Sequence, residues 1–305
     1  MTSSLPEATK KHPLITRLKY GTATTGRYPE ATKKFKTAAI GVQKILEQNR
    51  LARKHKKKLS AFFKEQKTLA LNGFAKLRHY FVEEKSPAKL SKATPIPSIL
   101  DGWDGTWGDI SDISYDDLQK IVKLAESEGM QAGIDQLKNL FQMSGVDPVA
   151  GSTFDLSNPR AVAWFKKFGG SVDYIKGIQK ATSDQVKTII QQAIDEGWSY
   201  NETAKAISDQ FDEFSRDRAN LIAVTEIGNS YEEGNRSFAD SLAEAGIHIV
   251  KSWQTSKDDK VSDGCQENED AGWIELDEPF PSGDQQPLRF PGCRCYCIYE
   301  QAPKE

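Results

Sequence analysis

A chain of 305 residues, 38% hydrophobic and 28% charged, is long enough for a sizeable core and for two domains or one domain with an arm. No run approaches the roughly 20 apolar residues of a membrane-spanning helix, and the first 18 residues lack the apolar segment of a secretory signal. The expectation is a soluble protein without membrane association, made in a reducing cytoplasm with its thiols reduced. The net charge of −2 conceals an asymmetry: residues 1–92 hold 22 Lys and Arg against 6 Asp and Glu, leaving 19 basic and 37 acidic residues for the remainder. The basic front suits a polyanion or an acidic protein partner.

Residues 1–30 carry Pro6, Pro13, Gly21, Gly26 and Pro29 among Thr and Lys, which predicts an irregular basic arm. Residues 31–84 read as a basic helical region. Phe35, Ala38, Val42, Ile45 and Leu46 follow one stripe, which Leu59, Phe62, Phe63, Leu69, Phe74 and Leu77 continue after the basic interruption Arg53–Lys58. Residues 85–108, with Pro87, Pro95 and Pro97, read as a linker. A helical domain is expected over 109–246. Within it lie a helix from about Tyr115 to Phe141, a helix capped by Asn158 with Pro159 at its first position, capping boxes at Thr182–Gln185 and Ser199–Glu202, and a helix from about Asp217 to Ala245. Gly197 and Gly246 are predicted left-handed helix stops.

After Gly246 the texture changes, and 247–305 reads as a small β-rich module. Its strands are expected at Ile247–Trp253, Trp273–Leu276 and Cys293–Tyr299, with Trp253, Trp273 and Phe280 as anchors. The fold class is therefore α+β, mainly α. All four cysteines, Cys265, Cys293, Cys295 and Cys297, lie in this module, as a local clip would. Zinc on four thiols, a disulfide, and buried thiols packing a small sheet are all open readings. In an extended strand Cys293, Cys295 and Cys297 would share a face at about 6.6–6.8 Å intervals. One ion with Zn–S bonds of about 2.3 Å could not take all three without a bend in that strand. Arg294 would point to the opposite face, toward Glu226 or Asp258.

Several ordered motifs resemble those of the phage Mu F-like minor head proteins, a phage head-morphogenesis family. They are Arg218-Ala-Asn-Leu-Ile-Ala-Val-Thr225-Glu226, then Trp253-Gln-Thr255-Ser-Lys-Asp258, a cysteine, Leu276-Asp-Glu-Pro279-Phe280, and Pro291-Gly-Cys293-Arg294-Cys295. Phe154–Pro159 and the Glu196–Ser199 turn fit as well. Phe62-Phe63 with Gln66, and Trp107, are less specific. The resemblance implies a low-copy protein of the capsid interior, assembled in the host cytoplasm, that associates with the portal and with major capsid or scaffold protein. It implies no enzymatic turnover. Some relatives carry C-x-x-C where this chain has Ser262-Asp-Gly-Cys265, and a histidine before the proline where it has Phe290, so two of their metal ligands have no counterpart here.

Two other readings compete. Arg53, Lys54, Lys56, Lys57, Lys58 and Lys64 form the expected surface for non-specific DNA binding, which salt would weaken steeply. Asp258 and Asp259 with Glu226, Asp263 or Glu267 would be the carboxylates of a metal-dependent hydrolase. Acidic residues are common in this half, and no ordered motif of the H-E-x-x-H kind accompanies them.

Overall fold

The computed structural model describes residues 29–82, 89–90, 96–145, 162–164, 167 and 172–302. The basic arm, the Phe154–Pro159 segment and the proposed Asn158 cap lie outside the described residues, apart from the arm's last two. Helix dominates, with one small antiparallel sheet near the C-terminus, and the class is α+β, mainly α.

Helix α1 spans Pro29–Ala75 and runs through the basic stretch without a break. Lys and Arg are good helix formers, and His55 fills the stripe between Leu51 and Leu59 at four-residue spacing. All three are buried, so a polar residue on the apolar face hid the continuity. A 3-10 turn at Lys76–Tyr80 and strand β1, Phe81–Val82, follow; β1 pairs with β2, Lys89–Leu90.

Helix α2 is Ile96–Met143, so the linker expected to reach residue 108 gives way to helix from residue 96. Proline is tolerated in a first turn, where Pro97 sits. Beyond it Ile99, Trp103, Trp107 and Ile110 form a buried stripe at helical spacing. Helix α3, Val172–Glu196, passes through the expected capping box at Thr182. There the Thr182 hydroxyl bonds back to the Ile178 carbonyl at 3.1 Å, and Ser183 accepts from Trp103 Nε1 at 3.2 Å. Helix α4, Tyr200–Glu244, begins at the other box: the Glu202 amide donates to Ser199 Oγ at 3.2 Å, and the Ser199 amide to Glu202 Oε2 at 2.7 Å. A cap that strong starts the helix there instead of at Asp217. Gly197 and Gly246 end α3 and α4 at φ +69° and +85°, with Trp198 N–H reaching the Ala193 carbonyl and Ile247 N–H the Leu242 carbonyl.

Two compact units result, and three of the four boundaries between them in sequence fall inside α1, α2 and α4. The helical unit takes Ala52–Glu128 and Leu156–Glu226. Its core gathers Phe74, Trp103, Trp107, Ile190, Ile207 and Phe211 among others. The terminal unit takes the described residues up to Leu51, of Gly129–Asp155 and of Ile227–Glu305. Chain order and unit order therefore differ, because each long helix supplies residues to both units.

In the terminal unit α2 and α4 approach backbone to backbone. A Cβ on Gly133 would lie 2.1 Å from the Tyr231 carbonyl oxygen, and one on Gly234 would lie 2.2 Å from that of Met130. The sheet has the order β4-β3-β5, all antiparallel, with β3 Ile249–Gln254, β4 Trp273–Glu275 and β5 Tyr296–Gln301; helix α5, Asp263–Asp270, lies between β3 and β4 in sequence.

Candidate functional site

The motif residues of the terminal unit form a network around β3. Trp253 is fully buried, meets Phe280 edge-on at 5.1 Å, and lies opposite Cys297 in the sheet register. Thr255 donates its hydroxyl to Glu269 at 3.0 Å, and Lys257 also pairs with Glu269. Asp258 accepts from the Lys260 amide at 3.0 Å and from Arg294 at 2.6 Å. Burial alone would raise the Asp258 pKa, but these donors outweigh it and hold the carboxyl below its usual range. Asn268 bridges to Ser282 in both directions, at 2.8 and 3.0 Å. Trp273, expected as an anchor, is 40% exposed, because it sits on edge strand β4 with its side chain on the outer face.

Two sequence positions explain themselves through the turns they make. Pro279 precedes a tight loop in which the Phe280 amide donates to the Asp284 carbonyl at 2.9 Å. Pro291 and Gly292 are the central pair of a turn in which Cys293 N–H reaches the Phe290 carbonyl at 3.0 Å, with Gly292 at φ +80°. That φ favours glycine, and proline presets the position before it.

This turn decides the fate of the cysteines. Strand β5 starts at Tyr296, so Cys293 and Cys295 precede it, and the two-residue alternation assumed for all three C-terminal thiols does not apply. Cys293 and Cys295 instead meet Cys265, on the first turn of α5, where Ser262 caps the helix by accepting from the Cys265 amide. The three sulfurs lie within 4.8 Å of one another, with Cys265 and Cys293 4.0 Å apart. Hydrogen bonding from Cys295 is the main cause that brings the Cys293 thiol down to about 6, while the same partnership and burial push Cys295 up.

Cys297 goes elsewhere. It is fully buried in β5, its amide donates to Glu232 at 3.0 Å, and its carbonyl accepts from Lys44 Nζ at 2.6 Å. Burial raises its thiol to about 12. Lys44 and Glu232 form a fully buried ion pair at 3.1 Å, with Gln48 as a further donor to the carboxylate. Burial raises the Glu232 carboxyl against the pull of Lys44 and the Cys297 amide. A second buried cation, Lys251, donates to the Gln285 carbonyl at 2.9 Å and sits 4.9 Å over the Phe280 ring; burial first, then the charge of Arg236, lowers it to about 8.

The Arg218–Glu226 motif serves the helical unit. Ala219, Ile222 and Ala223 are buried along one face of α4, and Arg218 donates to the Ile178 carbonyl at 2.7 Å. Glu226 hydrogen-bonds with Tyr174 and Glu126, and burial raises its carboxyl. Thr225 is buried beside it. Lys54, expected on a DNA-facing surface, pairs with Glu128 at 2.6 Å, and Lys56 donates to Asn220 at 3.2 Å. Arg53, Lys57 and Lys64 are exposed, and Lys58 is half-buried.

Among the described residues, the only group of three or more His, Cys, Asp or Glu side chains close enough to share an ion is the Cys265, Cys293, Cys295 trio. Asp258, Asp259, Asp263 and Glu267 form no such group, and Glu226 belongs to the other unit. Lys44, Glu232, Glu126, Tyr174, Glu269 and Arg289 were not singled out from the sequence. Each is an ordinary charged or aromatic residue whose role depends on a partner far away in the chain.

The fold and these links define a class: a mainly helical protein whose described residues from 247 to 302 form a small, densely hydrogen-bonded, cysteine-bearing sheet module. The comparison with known families is more specific. Residues 184–298 match the family model described as phage Mu protein F like protein, from within α3 to the third residue of β5. The resemblance carried by the motifs is thereby shown for that stretch. Neither a curated protein nor a solved structure matches the chain. No described helix is long and apolar enough to cross a membrane.

Proposed function

We propose that this chain is a minor head protein of a tailed phage or prophage, a low-copy component of the capsid interior that associates with the portal during assembly in the host cytoplasm. The observation that carries the reading is the Mu F-like match over 184–298, which takes in the whole of α4 and the terminal module as far as the third residue of β5. Its motif residues support an assembly role, because Thr255, Asp258, Arg294 and Phe280 are each engaged in holding that module together. Portal, major capsid and scaffold proteins are the proposed partners. The test is quantitative mass spectrometry of purified procapsids and mature heads. A reproducible handful of copies per portal ring is expected; absence from both particles would overturn the proposal.

A second reading, non-specific DNA contact, is favoured by the exposed Lys57 and Lys64 on α1. Lys54 and Lys56 fit it less well, since both have partners within the helical unit. The full chain should then retard DNA at low salt, and charge reversal of Lys57 and Lys64 together should reduce both affinity and its salt slope. A hydrolase is not proposed, because the carboxylates that would serve it do not assemble among the described residues.

A further inference from the structure

The thiol trio has the spacing of ligands around an ion. Sulfurs on a tetrahedral ion with bonds of about 2.3 Å sit about 3.8 Å apart, whereas a disulfide requires about 2.05 Å. The 4.0 Å between Cys265 and Cys293, and the 4.8 Å limit for the whole trio, fall close to the first figure and far from the second. From this geometry we infer that Cys265, Cys293 and Cys295 bind one zinc ion through three thiolates, that Cys297 is excluded, and that a water completes the tetrahedron.

Buried thiols that merely pack a core need only apolar neighbours. Donors lie beside these. The Trp253 indole N–H is fully buried with no hydrogen-bond partner of its own and lies near Cys295. The Arg289 guanidinium lies within hydrogen-bonding reach of the Cys265 sulfur and is held there by Asp284 at 2.7 Å. It packs so closely over Gly264 that a Cβ there would lie 2.2 Å from its Nη1. Three thiolates and a divalent ion carry one net negative charge, which the guanidinium offsets, and donors to ligating sulfur orient it.

The scaffold supports the same reading. One ligand sits on the capped first turn of α5, and the other two follow the Pro291–Gly292 turn, so the trio is set by local backbone geometry from two directions. Soft thiolates select zinc over magnesium or calcium. As three Zn–S bonds form, the three S–H protons pass to solvent, with no redox change. This inference does not depend on the head-protein reading, and its test is separate from particle composition.

The full chain, purified in reductant without chelator, should carry one zinc per chain by elemental mass spectrometry. After exchange for Co²⁺ it should show thiolate-to-cobalt charge-transfer absorption and the intense visible bands of a tetrahedral site. Cys293→Ser and Cys295→Ser should each lose the bound metal, whereas Cys297→Ser should keep the full equivalent. Trp253→Phe keeps a smaller aromatic ring and removes the N–H. It should weaken zinc binding about tenfold and shift the charge-transfer band, with the circular dichroism unchanged. The inference is overturned by an unmodified chain that lacks stoichiometric zinc and gives no cobalt–thiolate absorption. Metal loss in Cys297→Ser equal to that in Cys295→Ser, uptake of Cu⁺ but not zinc, or a Cys265–Cys293 disulfide in freshly isolated protein would also overturn it.

Discussion

The two units are held together by different means. The helical unit buries large apolar side chains in repeating stripes, and many of them, such as Phe74, Trp103 and Phe211, are almost wholly inaccessible. Its stability is spread over many contacts that tolerate partial loss. The terminal unit pairs a small sheet with buried charges, namely Lys44 with Glu232 and Lys251 with Gln285, and with a half-buried link from Thr255 to Glu269. A small sheet cannot bury enough apolar surface by itself, so individual polar links and a few aromatic anchors carry more of its structure. Damage should therefore be graded in the first unit and abrupt in the second.

The largest expected effects test that contrast directly. Trp103→Ala should cost about 3–5 kcal/mol through loss of apolar burial and the cavity left behind. Hydrogen exchange should then rise among amides of the helical unit. Glu232→Ala should cost a similar amount, about 3–5 kcal/mol, because it strands the buried Lys44 charge, and its exchange should rise in β5 instead. Replacing both partners, as Lys44→Met with Glu232→Leu, should recover only part of that loss, because the Cys297 amide and carbonyl lose their side-chain partners. If the double variant is as unstable as the single one, the buried pair is not what organises this unit.

Gly133→Ala should come next. The added methyl meets a backbone carbonyl that cannot rotate away, so a cost of about 1–3 kcal/mol in chemical denaturation is expected. Glu226→Gln sharpens the comparison through pH. Burial raises the Glu226 carboxyl above its ordinary value of 4.5, so the folded form keeps a proton that the unfolded chain releases. The stability linked to this proton is full below pH 4.5 and declines as pH rises toward the folded-state value. The amide does not titrate, so the stability of Glu226→Gln relative to the unmodified chain should rise between pH 4.5 and 7. A flat difference across that window would show that Glu226 is ionised in the fold. Arg294→Ala should have the smallest effect, below about 1 kcal/mol, because its pair with Asp258 is partly exposed.

Much of this architecture is legible from residues alone. Apolar spacing locates the helices, Ser199 with Glu202 marks the start of α4, and Gly197 and Gly246 mark helix ends, because caps and stops are local chemistry. Where structure and local pattern differ, a long-range partner overrides a local preference. Thr182 and Gln185 have the form of a cap but lie inside α3, and Trp103 pairs with Ser183 from a stretch that reads as linker. His55 interrupts an apolar stripe by composition yet is buried on it, where its ring bonds with Glu128.

Residue types along the chain set the helical character, the position and order of the motifs, and the concentration of cysteines in the last fifth of the chain. Each of these depends on residue type and short spacing. Which thiols meet depends on the folded chain. A proline–glycine turn delays the start of β5, turning Cys293 and Cys295 toward Cys265 and leaving Cys297 beside Glu232 and Lys44. The fold likewise decides that Glu232 pairs with a lysine 188 residues away and that Gly133 and Gly234 bring two helix backbones together. Such pairings depend on how distant segments pack, which no local pattern of side chains encodes.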